Sequence, residues 1–217
     1  MTPIKTLIVL IVIAGASLVF YLFSRGPLPP SEYAHIGGDF TLESKQGAVS
    51  LSDFNGKVTV IFFGYTNCPD VCSPILSNVS VAFKMLQESG ELDKTQGLFI
   101  TLDPEFDTVD VITGYMNQFH PKILGLSGSQ AQIGDVIKLY KVGYLKEALT
   151  DAMIEEAGSH HEYAIDMDKL KKLGYVVSHT SQIFIIRPDG SIGKLLSRTS
   201  TPTDIAAAIR IWMPWAK

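Results

Sequence analysis

The chain has 217 residues, 46% hydrophobic and 18% charged, with 18 Gly and 11 Pro, a globular composition rather than a disordered or fibrous one. Lys and Arg total 18 against 22 Asp and Glu, a net charge of -4, so no basic field exists to hold a polyanion and nucleic-acid binding is excluded as the main role. Two cysteines in a chain of this length are not needed as staples, which leaves Cys68 and Cys72 placed for chemistry or for nothing.

From Thr6 to Phe23 no residue is charged, and Lys5 and Arg25 flank the run. That length is just enough to cross a bilayer as one helix. A cleaved secretory signal competes, with Ala14-Gly15-Ala16 as its small residues, but the apolar run continues well past Ala16 and favours an uncleaved anchor. A single N-terminal anchor ahead of a long globular body normally exports that body, so the domain is expected outside the cytoplasm. Residues 1–26 are the expected anchor, 27–37 a linker and 38–217 the domain; Ser24 to Glu32 is Pro-rich and polar, a semi-rigid spacer. Without Lys5 and Arg25 the remainder carries 16 basic against 22 acidic residues.

Along the domain, Phe40–Leu42 and Ala48–Leu51 read as a short hairpin, followed by the Asn55-Gly56 turn. Lys57 to Gly64 is a continuous apolar run rich in β-formers, suited to a central strand buried on both faces. Pro74 then opens a helix whose apolar residues Ile75, Val79, Ala82, Phe83 and Leu86 keep to one side, ending near Ser89-Gly90. A strand at 97–102, a helix at 108–119, a short strand at 123–126 and a helix at 129–140 continue the alternation, which implies parallel strands with crossover helices. Gln182–Ile186 and Gly193–Ser197 flank the turn Arg187-Pro-Asp-Gly190, and a last helix runs from Thr203 to Trp212. This is the thioredoxin order: an α/β fold with a central mixed sheet flanked by helices. Between its parts, about 146–174 is long, polar and weakly periodic, an expected insertion carrying His160 and His161.

Cys68-Pro-Asp-Val-Cys72 sits where a central strand gives way to a helix, the place at which open α/β sheets present ligands. The helix N-terminus there favours thiolate over thiol, and a spacing of four puts both sulfurs on one side of a formed turn. Two such thiolates can close to a disulfide or chelate a soft cation; Asp70 between them reads as a turn cap. A metal needs another donor, from His35, His120, His160, His161 or His179. His179, in the loop entering the strand at 182–186, is the one a thioredoxin-like sheet brings to the dithiol. Two sulfurs and one imidazole suit Cu(I) and accept Cu(II), whereas a closed zinc site wants a fourth ligand.

Gly64-Tyr-Thr-Asn-Cys68-Pro-Asp-Val-Cys72, Thr101-Leu-Asp103-Pro-Glu-Phe-Asp107-Thr, Ser178-His179 and Ile186-Arg-Pro-Asp-Gly190, in that order behind an apolar N-terminus, resemble the Sco (SenC) proteins. The resemblance covers roughly 40–212. It implies a thioredoxin fold, membrane tethering, copper ligation by Cys68, Cys72 and His179, and a role in assembling the dinuclear copper centre of cytochrome c oxidase. Its implied partners are the copper-bearing subunit of that oxidase and, upstream, a periplasmic copper chaperone. It also implies that Asp103, and with it Asp107, act beside the site or in docking, against a plain reading of both as strand exit and helix cap. Ser73 stands where the family has the proline that follows the second cysteine, and Phe106 replaces a usual basic residue, removing a partner for Asp103 or for an acidic surface. A competing function is a thiol–disulfide oxidoreductase using Cys68 and Cys72 as its redox pair, although the strand entry His179-Thr-Ser lacks the thioredoxin proline. Peroxiredoxin activity fails on the Thr66 to Cys68 spacing, and a metal-free interaction module leaves the Cys-Cys-His set unexplained. A metallochaperone is thus expected more than an enzyme.

Overall fold

The computed structural model describes residues 11–15, 17, 28–68, 71–154, 171–172 and 174–216. The chain divides into two compact units, Met1–Pro30 and Ser31–Lys217. Of the expected membrane segment 6–23, residues 11–15 and 17 are described and helical, and the remainder lies outside the described residues. Among the described residues no helix is long and apolar enough to cross a membrane.

Strand β3 (Val58–Gly64) is the middle of a five-stranded sheet, and all seven of its residues are buried, as its uninterrupted apolar run requires. It pairs in parallel with β4 (Thr95–Thr101), which pairs in parallel with β5 (Ile123–Leu126). On its other side it runs antiparallel to β8 (Ile183–Ile186), and β8 to β9 (Ile192–Leu196), giving the order β5-β4-β3-β8-β9. This is the expected mixed sheet. Strands β1 (Thr41–Ser44) and β2 (Gly47–Ser50) form the expected hairpin, as a two-stranded sheet of its own.

Among the described residues four helices cover the sheet: α1 (Cys72–Glu88), α2 (Val109–Met116), α3 (Gln130–Leu139) and α4 (Pro202–Arg210). Ile75, Leu76, Val79 and Phe83 of α1, Ile112 and Met116 of α2 and Ile205 and Ile209 of α4 bury one face of the sheet with Val60 and Phe62. Ile133 and Val136 of α3 bury the other face with Ile61, Phe63 and Leu42. Ser129 and Thr201 start α3 and α4 with reciprocal capping boxes, and Thr108 caps α2 by accepting from Val111 N. Helix α1 differs. It begins at Cys72, two residues before the expected Pro74, because a proline is tolerated anywhere in the first turn, where its missing N–H has no helical partner. Val71 stands at its N-cap with no side-chain cap, and no acidic residue lies in its first turn.

The stretch from Lys146, weakly periodic in sequence, starts with a strand. Tyr144–Ala148 (β6) pairs antiparallel with Tyr175–His179 (β7) in a two-stranded ladder apart from the main sheet. His160 and His161 lie outside the described residues.

Candidate metal centre

Strand β3 delivers the chain to the carboxyl edge of the sheet at Gly64, and α1 carries it away from Cys72. A Cβ on Gly64 would stand 2.7 Å from Cys72 Sγ and 2.8 Å from a Phe99 ring carbon, so only glycine lets the sulfur lie against the strand end. Between them, Cys68 N donates to Tyr65 O at 3.2 Å. Asp107 pins this turn: its carboxylate accepts from Thr66 N at 2.9 Å, from the Thr66 hydroxyl, and from Thr101 Oγ1 at 2.7 Å. Asp107 is fully buried, and burial raises its carboxyl above the usual range against the lowering pull of the Thr66 and Thr101 bonds. Its carboxylate caps no helix, since Thr108 does that for α2; it ties the ends of β3 and β4 together under the cysteines.

His179 arrives on the last position of β7. Its Nε2 lies 3.8 Å from Cys72 Sγ, and the ligand atoms of Cys68, Cys72 and His179 all lie within 4.8 Å of one another. With metal–donor bonds of roughly 2.0–2.3 Å, three donors spread evenly around one ion stand about 3.5–4.0 Å apart; the 3.8 Å between Cys72 Sγ and His179 Nε2 is already in that range, and the rest of the set would close on an ion with shifts of up to about 1 Å. The His179 Nδ1 sits 3.1 Å from Thr180 O, which can only accept; in the neutral ring the proton is therefore on Nδ1 and the Nε2 lone pair faces the sulfurs. Phe62 and Tyr65 flank the imidazole, with ring centroids 6.4 and 6.1 Å away.

Both cysteines are thiols, Cys72 fully buried and Cys68 partly exposed. The thiolate expected from the helix N-terminus is not favoured at Cys72. Burial, and then its contact with Cys68, push its thiol well above the ordinary range, with Asp107 adding to the rise. Burial likewise raises the Tyr65 phenol, helped by the two sulfurs.

Asp103 lies beyond β4, 1% exposed, beside the ladder that carries His179. It accepts from Lys146 Nζ at 3.0 Å and from the Tyr175 hydroxyl. The cation missing at Phe106, which is 41% exposed, is thus replaced from β6. Lys146 and Tyr175 carry no motif signal of their own in the sequence, whereas Gly64 and Tyr65 stand at the head of the cysteine motif. Of the other histidines, His120 is buried between α1 and β5, its Nε2 3.3 Å from Gln87 Oε1, and His35 is not among the residues that could share an ion.

The SCO1/SenC family profile matches residues 29–214. The SCO2 homolog of Bos taurus mitochondria is 35% identical over 174 residues, 80% of this chain and 58% of that protein; the chain therefore spans about three fifths of that relative's length. A SCO2-like protein of Rickettsia conorii is 30% identical over 95% of this chain and 96% of its own. Among solved structures, Bradyrhizobium japonicum ScoI with copper bound is 32% identical with a TM-score of 0.65, covering 82% of this chain and 99% of ScoI. With the sheet order, the paired cysteines and the facing histidine already in place, the chain belongs to the SCO1/SenC family.

Proposed function

We propose that this chain carries copper on Cys68, Cys72 and His179 and delivers it to, or prepares the cysteines of, the dinuclear copper site of cytochrome c oxidase. The convergence of three soft or borderline donors within 4.8 Å carries this reading. Thiolate sulfur selects Cu(I), and the imidazole accommodates Cu(II) as well. When bound, copper is the cargo: the protein binds it through two sulfurs and a nitrogen and yields it to a client's ligands. Copper bound to ScoI of Bradyrhizobium japonicum, at 32% identity, supports the same metal here.

The uncharged run 6–23 is the proposed tether, and Ile11, Val12 and Ile13 in its described helical part are more than half exposed, apolar surface suited to lipid. It would hold the domain outside the cytoplasm near a membrane-embedded client, at high effective concentration. A periplasmic copper chaperone is the proposed donor. The second reading, thiol–disulfide exchange, draws on the contrast between part-exposed Cys68 and buried Cys72, an attacking and a resolving thiol. In that reaction the pair gives two electrons and two protons to a client disulfide and becomes a disulfide itself.

Copper per chain on the reduced and the disulfide form is the test. Reduced protein is expected to bind one equivalent and the disulfide form none, because thiolate is the ligand. Equal binding by both overturns the dithiol assignment. In cells, His179→Ala and the loss of both cysteines are both expected to abolish oxidase assembly; intact assembly in the His179→Ala strain supports the exchange reading instead.

A further inference from the structure

Among the described residues, strands β6 and β7 form a ladder of two with no third strand beside it, and a two-stranded ladder is marginal on its own in water. The ladder bears a third of the proposed copper site, so something outside it has to fix where His179 stands. The register places Tyr144 opposite His179, Lys146 opposite Val177 and Ala148 opposite Tyr175. Directly opposed residues share a face and side chains alternate along a strand, so Tyr175, Val177 and His179 all point to the same side, together with Lys146. Val177 is 6% exposed and packs into the core cluster around Phe63 and Tyr140. His179 meets Cys72 at one end. Four residues away, roughly 13 Å at about 3.4 Å per residue, the Tyr175 hydroxyl donates to buried Asp103. Lys146 bonds the same carboxylate at 3.0 Å and Glu105 at 2.7 Å, with its Nζ 3.9 Å above the Tyr175 ring.

We infer that Lys146 and Tyr175, gripping Asp103, are positioning residues that hold the β6–β7 ladder in the register at which His179 faces the two sulfurs, and so set copper affinity without touching the ion. Asp103 follows directly on β4, whose end is tied through Asp107 to the cysteine turn, so the latch refers the imidazole to the same sheet edge as the thiols. Each of the three anchors on that face is needed for a different reason. Val177 sets depth, His179 is the donor, and the Tyr175–Lys146–Asp103 cluster prevents the ladder from pivoting about Val177. The inference rests on the copper reading of Cys68, Cys72 and His179.

The test is a double-mutant cycle on the reduced full chain in detergent, with Cu(I) affinity read by competition against a chromogenic chelator. Tyr175→Phe keeps the ring over Lys146 and the charge pair but deletes the hydroxyl, so it is the variant that folds. It is expected to lose about tenfold in affinity, the low end for groups that orient a metal ligand. Lys146→Met, which strands a buried carboxylate, is expected to lose more, and Lys146→Arg to recover most of it. In a His179→Ala background, Tyr175→Phe is expected to cost nothing further, and amide hydrogen exchange in Tyr175→Phe is expected to quicken across β6 and β7 alone. An additive loss in that background overturns the latch, because the hydroxyl would then act other than through His179. So does wild-type affinity in Tyr175→Phe while His179→Ala is weakened, a result that leaves the copper reading standing. Wild-type affinity in His179→Ala itself overturns the copper reading and the latch with it.

Discussion

Gly64→Ala is the substitution for which the structure sets the effect most directly. The added methyl would stand 2.7 Å from Cys72 Sγ, 2.8 Å from Phe99 Cε2 and 3.2 Å from Phe62 Cε1. Contacts between such atoms rest at about 3.5–4.0 Å, so the sulfur or the strand end has to move by about 1 Å. All three neighbours are buried in one core cluster, which leaves no open side to move toward. Overpacking of this kind costs about 1–3 kcal/mol. At about 2–4 °C per kcal/mol for a chain of this size, Tm of the reduced protein is expected to fall by roughly 2–12 °C. Metal sites tolerate shifts of about 0.2 Å in ligand distance, so a displacement of about 1 Å at Cys72 is expected to weaken copper about 10–100-fold. Calorimetry and chelator competition measure the two effects. Gly114→Ala is the control: a Cβ there meets nothing within 4 Å in the interior of α2, and the change is expected to stabilise by about 0.5–1 kcal/mol. Wild-type melting and copper affinity in Gly64→Ala would refute the packing argument at the strand end.

Thr66→Val removes the hydroxyl donor to buried Asp107 while keeping the shape, and is expected to destabilise the reduced protein by about 1–3 kcal/mol in urea unfolding, with Thr101→Val similar. A neutral result for both would mean that Asp107 does not pin the cysteine turn. His120 is held neutral by burial and by the nearby Lys84 and Lys122, its Nδ1 accepting from Lys122 N at 3.2 Å and its Nε2 donating to Gln87. With its folded pKa below the unfolded value of about 6.5, its contribution is present above pH 6.5 and is lost as pH falls below it. Stability of the wild type relative to His120→Gln is therefore expected to shrink between about pH 7 and pH 5, and a pH-independent difference would contradict the neutral imidazole.

Elements that announce themselves locally were legible in the sequence. The run of Val58 to Phe63 has no polar face to expose, and the helix expected at 129–140 starts where the box Ser129–Gln132 sets it, whereas the box Thr201–Asp204 starts α4 at Pro202, one residue before the expected Thr203. The strand-to-helix position of Cys68 and Cys72 was legible for the same reason, and the approach of His179 followed from the order of the strands. What was not legible is the ladder that carries His179. Tyr144–Ala148 has no alternation, with a Lys and a Glu among its five residues, and its partner is separated from it by residues 149–174. Lys146 and Tyr175 matter through Asp103, which lies 43 and 72 positions away from them, and no periodicity encodes such a distance. Phe106 pointed the wrong way: the absent basic residue suggested an unpartnered Asp103, whereas the cation is supplied from another strand.

Protonation of the thiols turns on a comparison of magnitudes. A charge at a helix N-terminus gains about 0.3–1 kcal/mol, and at most about 2 in partly buried geometry. Taking a charge out of water costs several kcal/mol even after relaxation. Cys72 is 0% exposed, with Phe62, Phe99 and the strand end around it, so burial exceeds the helix contribution and the apo side chain keeps its proton at neutral pH. A bound cation reverses the balance, because its charge sits where the proton's did. Copper uptake should therefore release at least about one proton per ion at pH 7, the one from Cys72, and apparent affinity should rise with pH. A weakly buffered solution with a pH indicator measures the release during titration with Cu(I). The Cys72→Ser chain is the reference, and it should release about one proton fewer per copper bound. Uptake by the wild type with no proton released would mean that Cys72 is already a thiolate in the apo protein, and that the helix N-terminus outweighs burial after all.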